Sequence, residues 1–264
     1  MNFENLPIYI IGSGNVAWNL ISAFSKAGIH INGCWSRNKK TCIELSNQFN
    51  ISYLETDEIY TKQGVFILTV SDSAIESISN RIGKTSIVVH TSGTTDLETL
   101  LNGHPNCGVF YPLQTFSKKE TVDFSTIPVL IEYSSEEVKN LLEFWAQKLH
   151  SKYYFCSSPD RMKYHVAAVY ACNFVNHMLA LSEFWLRENN LMFDILEPLI
   201  SETIRKAMQN GAFASQTGPA IRNDQITIEK HINLLANHPD LKKIYSFVTE
   251  SIIEFHFKQG KHEF

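Results

Sequence analysis

Apolar and polar positions fall in alternating blocks along the first half of the chain. Residues 8–11 form a short apolar run, and 16–27 read as a helix that Gly28 ends. Further strand-like runs lie at 29–35, 51–54, 65–70, 86–90 and 108–111, with a second helix over 39–50. Continuous apolar strands between amphipathic helices predict a parallel sheet covered on both faces. Residues 129–132 and 153–155 read as extra edge strands. Between them, Ser134-x-x-Glu137 reads as a capping box opening a helix to about Leu149.

The pattern changes near Ser157. Ser158-Pro159 reads as a helix start with proline at the first helical position, and no breaker follows until about Asn189. A helix of ~30 residues would be ~45 Å long. Its apolar face is broad, running through Val166, Val169, Tyr170, Phe174, Met178, Leu181 and Trp185. Helices at about 195–208, 226–236 and 241–257 follow. The pattern therefore predicts two domains, an α/β doubly wound parallel sheet over 1–156 and an all-helical domain over 157–264. A helix this apolar is expected to pack against more than its own domain, so a homodimer through the helical domain is expected.

With 264 residues and 44% hydrophobic side chains, the chain can bury a sizeable core. Net charge is -4 and no dense Lys/Arg block occurs, so no nucleic-acid partner is expected. The segment Met1-Asn2-Phe3-Glu4 has no basic n-region, and no apolar run is long enough for a bilayer. The expectation is a cytoplasmic protein with no membrane partner. Cysteines stand at 34, 42, 107, 156 and 172, an odd number without a C-x-x-C pair. Neither a disulfide frame nor a metal site is suggested, and buried reduced thiols are the expectation.

The strongest chemical signal is at the first turn. Pro7-Ile8-Tyr9-Ile10-Ile11 runs into Gly12-Ser13-Gly14-Asn15-Val16-Ala17, a Gly-x-Gly-x-x-Ala turn between a strand and a helix. Gly12 would permit the tight turn, Gly14 would let a pyrophosphate approach the backbone, and Ala17 would let the helix pack closely. The helix start offers N–H groups and a positive dipole end to phosphates. Such turns also occur without a ligand. Here strand, turn and helix together predict dinucleotide binding by Gly12, Ser13, Gly14, Asn15 and Val16.

An NAD site places an acidic residue at the end of the second strand, about 20 residues past the glycines. Here the place reads Cys34-Trp35-Ser36-Arg37-Asn38-Lys39-Lys40 and holds no carboxylate. A guanidinium can bind a 2′-phosphate in a forked geometry. NADP is therefore the expected cofactor, held by Ser36, Arg37 and Asn38; otherwise these are solvated residues opening the next helix. Ligands of open α/β sheets sit outside the carboxyl ends of strands, so Val70, Ser71 and Asp72 should line the cleft. For Asp72, N-capping of the next helix is the expected direct role.

One strand further on, His90-Thr91-Ser92-Gly93-Thr94-Thr95 offers hydroxyls and backbone donors, with Ser92 expected near the cofactor. Phe110-Tyr111-Pro112-Leu113-Gln114 should border the same cleft. His165, Asn173 and His177 are polar positions on the long helix, where a histidine is as readily a satisfied core residue as a catalyst. His165 can donate a proton as hydride arrives, and Asn173 can orient a substrate. They are eight residues apart, ~12 Å along the axis, so they cannot share one small atom. Expected catalytic residues are His90, Gln114, His165 and Asn173, in a cleft between the domains. In the loop before the His231 helix, Arg222 can bind an acidic group or pair with Asp224, itself a plausible N-cap.

GSGNVA, TVSDSAI, HTSG, YPLQTFS, RMKYHVAAVYACNF and TGPAIRND-QITIEKH together resemble one family across almost the whole chain. Its members join a Rossmann-like N-terminal domain to a C-terminal helical domain of unknown function. They are labelled NADP oxidoreductases and are similar to deazaflavin-dependent ones. The wider similarity is to pyrroline-5-carboxylate reductase and to 6-phosphogluconate and 3-hydroxyacid dehydrogenases. The resemblance implies a 6-phosphogluconate dehydrogenase C-terminal-like helical domain that dimerises. The hydroxyacid enzymes carry a Lys and an Asn four residues apart on the long helix. Here Lys163 is followed at four by Ala167, and Asn173 is preceded at four by Val169, so that mechanism does not carry over. The expected function is hydride transfer to or from a small polar carbonyl, imine or alcohol. The alternatives are a non-catalytic NADP-binding sensor, or a flavin or deazaflavin as second substrate.

Overall fold

In the computed structural model, residues 3–259 are described. The first turn of sequence folds as read: β1 (Ile8–Ile11) enters the glycine turn and α1 (Asn15–Lys26) leaves it. Gly28, at φ +73°, ends α1 by donating its N–H to Ser25 O. There follow β2 (Gly33–Trp35), α2 (Lys39–Phe49), β3 (Ser52–Tyr53), α3 (Thr56–Thr61), β4 (Val65–Leu68) and α4 (Asp72–Ser79). Next come β5 (Ile87–His90), the short α5 (Glu98–Leu101), β6 (Cys107–Pro112), β7 (Val129–Tyr133), α6 (Glu136–Lys148) and β8 (Tyr153–Phe155).

The strands form one eight-stranded sheet in the order β3-β2-β1-β4-β5-β6-β7-β8. The first six run parallel to one another, the Rossmann-like arrangement. Each central strand is apolar on both faces because both are covered. Ile8, Ile10, Val65, Ile67 and Val89 pack with Leu20, Phe24 and Trp145 from α1 and α6. Tyr9, Ile11, Phe66, Leu68 and Val88 pack with Ile59, Ile75 and Leu100 from α3, α4 and α5.

Several local expectations shift. Residues 129–132 are not an edge: β7 lies between β6 and β8, and it runs antiparallel to β6. The 16 residues between β6 and β7 hold a single 3₁₀ turn, Phe124–Thr126, rather than the crossover helix that a parallel return requires. Ser134 does not cap α6. Its hydroxyl donates to Pro105 O and accepts from Cys107 N, and Ser135 takes the cap by accepting from Val138 N. Asp72 is the first helical residue of α4, behind Ser71 at the cap position. Pro159 is the second helical residue, because Ser157 is the cap and accepts from Asp160 N.

The helical run expected over 158–189 forms as α7 (Ser158–Ala168), π-helical turns over Val169–Phe174, and α8 (Val175–Glu188). By internal contacts the chain divides into units Met1–Ala171 and Cys172–Phe264, later than the change of pattern near Ser157. The second unit also carries α9 (Glu197–Asn210), α10 (Gln225–Leu234), capped by the Asp224 carboxylate through Thr227 N, and α11 (Pro239–Gln259). No residue of α8 or α9 is buried. No described helix is long and apolar enough to cross a membrane.

Candidate functional site

The carboxyl ends of β1, β4, β5 and β6 carry the chemistry of the first unit. Gly12 sits at φ +129°, and a Cβ there would lie 2.4 Å from Thr69 Oγ1 and 2.7 Å from Thr69 O. Both conformation and space therefore demand glycine. The opposite holds at Gly14, where a Cβ would meet nothing within 4 Å. Gly14 is also the N-cap of α1 and supplies no capping side chain. Asn15 is exposed and Val16 half-buried on the first turn, while Ala17 is fully buried against the sheet. Open space, a bare helix start and its dipole end make a cradle that fits a diphosphate.

Ser13 joins this cradle to the turn after β2. Its hydroxyl donates to Ser36 Oγ at 2.9 Å and lies 2.6 Å from Thr41 Oγ1. Asn38 uses its side-chain oxygen to cap α2 through Thr41 N. Lys39 is paired with Glu55 at 2.7 Å, which holds the Glu55 carboxyl below its usual range. Arg37 is exposed and has no hydrogen bond or ion pair among the described residues. No carboxylate follows β2 directly.

At the next strands, hydroxyls stitch the backbone together. Thr69 donates to Ile11 O and Thr91 to Leu68 O. Val70 is half-buried and Ser71 exposed. The exposed Asp72 carboxylate accepts from the Thr94 hydroxyl. Buried Ser92 accepts from the amides of Thr94 and Thr95 at 3.1 and 3.0 Å, so its hydroxyl shapes the turn. The Ser92 amide donates to His90 Nδ1 at 3.2 Å, which leaves the proton of the neutral ring on Nε2, a nitrogen with no partner. His90 has no exposed surface. Burial, then the Arg161 cation, lowers its pKa to about 3, against weaker opposition from Asp72 and the Asp96 backbone. It is a buried neutral imidazole that holds the turn, not an accessible acid.

A second histidine is placed differently. His165, on α7, sets Nδ1 3.1 Å from the Tyr111 hydroxyl on β6. Gly93 lies directly beneath both: a Cβ there would fall 2.6 Å from His165 Nδ1 and 2.8 Å from Tyr111 Cζ. One turn before His165, Arg161 is 1% exposed. It donates to the Glu132 carboxylate on β7, to Thr95 O at 2.5 Å and to Ser158 Oγ at 3.1 Å. Glu132 also accepts from the Ser158 amide and hydroxyl. Helix α7 is thereby tied both to β7 and to the turn after β5.

Gln114 is exposed and accepts from the Thr115 amide at 2.8 Å. Asn173, in the π-helical turns, and His177, on α8, belong to the second unit and are exposed. There Asp224 caps α10 and Arg222 lowers its pKa through charge alone, behind the Thr227 hydrogen bonds. His231 Nδ1 lies 2.8 Å from Tyr245 Oη. Sequence reasoning put Tyr111 in the segment bordering the cleft and Ser158 at a helix start, but gave no chemical role to either, nor any to Arg161 or Glu132. The available signal was charge out of place: a glutamate ending the apolar run of β7 and an arginine on the helix that follows β8.

Residues 7–93 match the family model described as NADP oxidoreductase coenzyme F420-dependent, and 127–252 match the domain of unknown function DUF2520. No curated protein matches the chain. Among solved structures, the "putative NADP oxidoreductase BF3122" from Bacteroides fragilis is 37% identical, with TM-score 0.89, covering 96% of this chain and 100% of that one. Protein TM1727 from Thermotoga maritima is 20% identical (TM-score 0.68, 96% and 99% covered) and shares the fold. So does 1-pyrroline-5-carboxylate reductase from Streptococcus pyogenes, at 12% identity (TM-score 0.58, 94% and 98% covered). The chain belongs to the family of the Bacteroides fragilis protein, a Rossmann-like NADP oxidoreductase-type domain followed by a DUF2520 domain that begins with β7, α6 and β8 and continues as helices.

Proposed function

We propose that the protein is an NADP-dependent oxidoreductase acting on a small polar carbonyl, imine or alcohol. The observation that carries this reading is the pairing of the Gly12–Gly14 cradle with an unpaired Arg37 after β2. Gly14 leaves the diphosphate room at the bare start of α1. Arg37 meets a 2′-phosphate where an NAD site would offer a carboxylate to the 2′-hydroxyl. Ser13 and Ser36, already hydrogen-bonded to each other, hold the two halves of the cradle in register. The nicotinamide, when bound, supplies or removes two electrons and one hydrogen as hydride. The chain's own work is to orient both reactants and to handle the remaining proton. The relatives support the class of reaction: the Bacteroides protein carries the name of an NADP oxidoreductase, and an imine reductase from Pseudomonas sp. shares the fold.

Affinity for the two reduced nucleotides tests the reading by calorimetry. NADPH is expected to bind at least tenfold more tightly than NADH, about 1.4 kcal/mol. Arg37→Ala should erase most of that preference while leaving NADH affinity nearly unchanged. Equal affinities in the wild type would remove the NADP assignment.

A further inference from the structure

Most polar groups at the strand ends are used by the fold itself. Ser92, Thr69 and Thr91 bind backbone, Asp72 accepts from Thr94, and Arg161 is held by Glu132, Ser158 and Thr95. The Tyr111–His165 pair binds no backbone group and no charged partner. It joins the end of β6 to α7 across 54 residues by one side-chain contact, and it lies on the turn after β5. Gly93 shows how close that approach is. Its backbone is not among the positive-φ glycines, so conformation does not require glycine there. A methyl group there would meet both rings, so the Tyr111 and His165 side chains would have to move. The turn after β5 thus runs close beneath a phenol and an imidazole that face each other.

We propose that Tyr111 is the group that exchanges a proton with the substrate's oxygen or nitrogen, with His165 as its reserve. The proposal rests on the oxidoreductase reading above. Reducing a C=O or C=N bond adds two hydrogens and two electrons. Hydride brings both electrons and one hydrogen to the carbon. The Tyr111 O–H bond breaks as the new O–H or N–H bond forms, and the phenolate left behind takes a proton from the His165 imidazolium at Nδ1, leaving the neutral ring. Solvent restores a proton to the imidazole, and oxidation of an alcohol or amine runs the same transfers backwards. Burial pushes the Tyr111 phenol up from its ordinary value; the Arg161 cation lowers it and the Asp72 carboxylate raises it. Asp72 from α4 and Arg161 and His165 from α7 are thus the charged or titratable groups that reach this hydroxyl, with Glu132 neutralising Arg161. A phenol kept protonated yields its proton only to a strong base, such as an alkoxide developing on the substrate.

The test needs no known substrate. Tyrosinate absorbance is titrated in wild type and in Tyr111→Phe, and the difference isolates Tyr111. It is measured with saturating NADP+ and with saturating NADPH, whose nicotinamide rings differ by one positive charge. If the phenol faces that ring, Tyr111 ionises at least one pH unit lower with NADP+, tenfold in its ionisation constant. His165→Ala should move Tyr111 ionisation upward, because the phenolate loses its donor. Both nucleotides binding with superimposable Tyr111 titrations would overturn the proposal. An unchanged or downward shift in His165→Ala would overturn the relay. Failure of both nucleotides to bind would instead sink the cofactor reading on which it rests.

Discussion

His90 is the last residue of an otherwise apolar strand, and burying its ring costs less if the ring stays neutral. Its Nδ1 accepts the Ser92 amide, so the neutral form also shapes the turn that carries Gly93. The folded pKa of about 3 lies below the ordinary 6.5, with burial the largest cause. The sign follows by linkage: below about pH 6.5 the unfolded chain binds a proton that the native ring refuses. The stability contributed is therefore full above pH 6.5 and is lost as pH falls toward 3. His90→Asn keeps an acceptor for Ser92 but does not titrate. Between pH 7 and 4.5, wild type should lose on the order of 2 kcal/mol more than His90→Asn. Urea unfolding at three pH values checks this, and parallel stability curves would exclude it. The HTSG turn was legible from sequence as the end of a strand, but the structural roles of its histidine and serine were not. Whether a strand-end histidine points into the core or the cleft depends on the strand's register against α7, which local sequence does not specify.

At the scale of elements, α7 shows what an apolar pattern leaves out. The sequence pattern located the helix, but its attachment to the sheet is polar. Buried Arg161 and half-buried Glu132 form an ion pair, and Ser158 bridges them, also accepting from Leu97 N at 3.0 Å. Removing Arg161 leaves the half-buried Glu132 carboxylate uncompensated and costs about 2–3 kcal/mol, below the range for a fully buried pair. Arg161→Met is expected to lose that much by denaturant unfolding. The double variant Arg161→Met with Glu132→Leu should recover most of the loss. A double variant as unstable as the single would mean that Arg161 acts through its bonds to Thr95 and Ser158 instead. The strands and α1 were readable because continuous apolar runs and two glycines are local signals. The one-residue slips at Ser134, Asp72 and Pro159 arose where the capping residue is chosen by distant bonds or backbone angles. Ser134 is the clearest case, drawn away by Pro105 and Cys107. The Tyr111–His165 pair was invisible for a related reason: its members meet only after β6 and α7 are in place.

For the whole molecule, the two units differ in how they hold themselves together. The first has apolar clusters on both faces of its sheet. In the second, α8 and α9 bury no residue, and Ala220, Ile228 and Thr249 are its only buried side chains among the described residues. Large apolar groups stand in water instead, with Met208 79%, Ile195 73%, Phe247 71% and Ile226 70% exposed. Fully burying one such side chain is worth about 1.5–3 kcal/mol, so leaving this many exposed forfeits stability that a second copy can supply. We propose that the helical unit is completed by a homodimer, whose interface would be of the large, hydrophobic, obligate kind. Sedimentation equilibrium should then show a dimer at micromolar concentration, and the unfolding midpoint should rise with protein concentration. Replacing Met208 and Phe247 together by Glu should weaken the dimer by at least a hundredfold, about 2.7 kcal/mol. A wild-type monomer at 10 µM (roughly the concentration at which an obligate dimer is fully associated) would be decisive against it. So would an unfolding midpoint independent of concentration, because exposed apolar helices would then have to be stable without a covering partner.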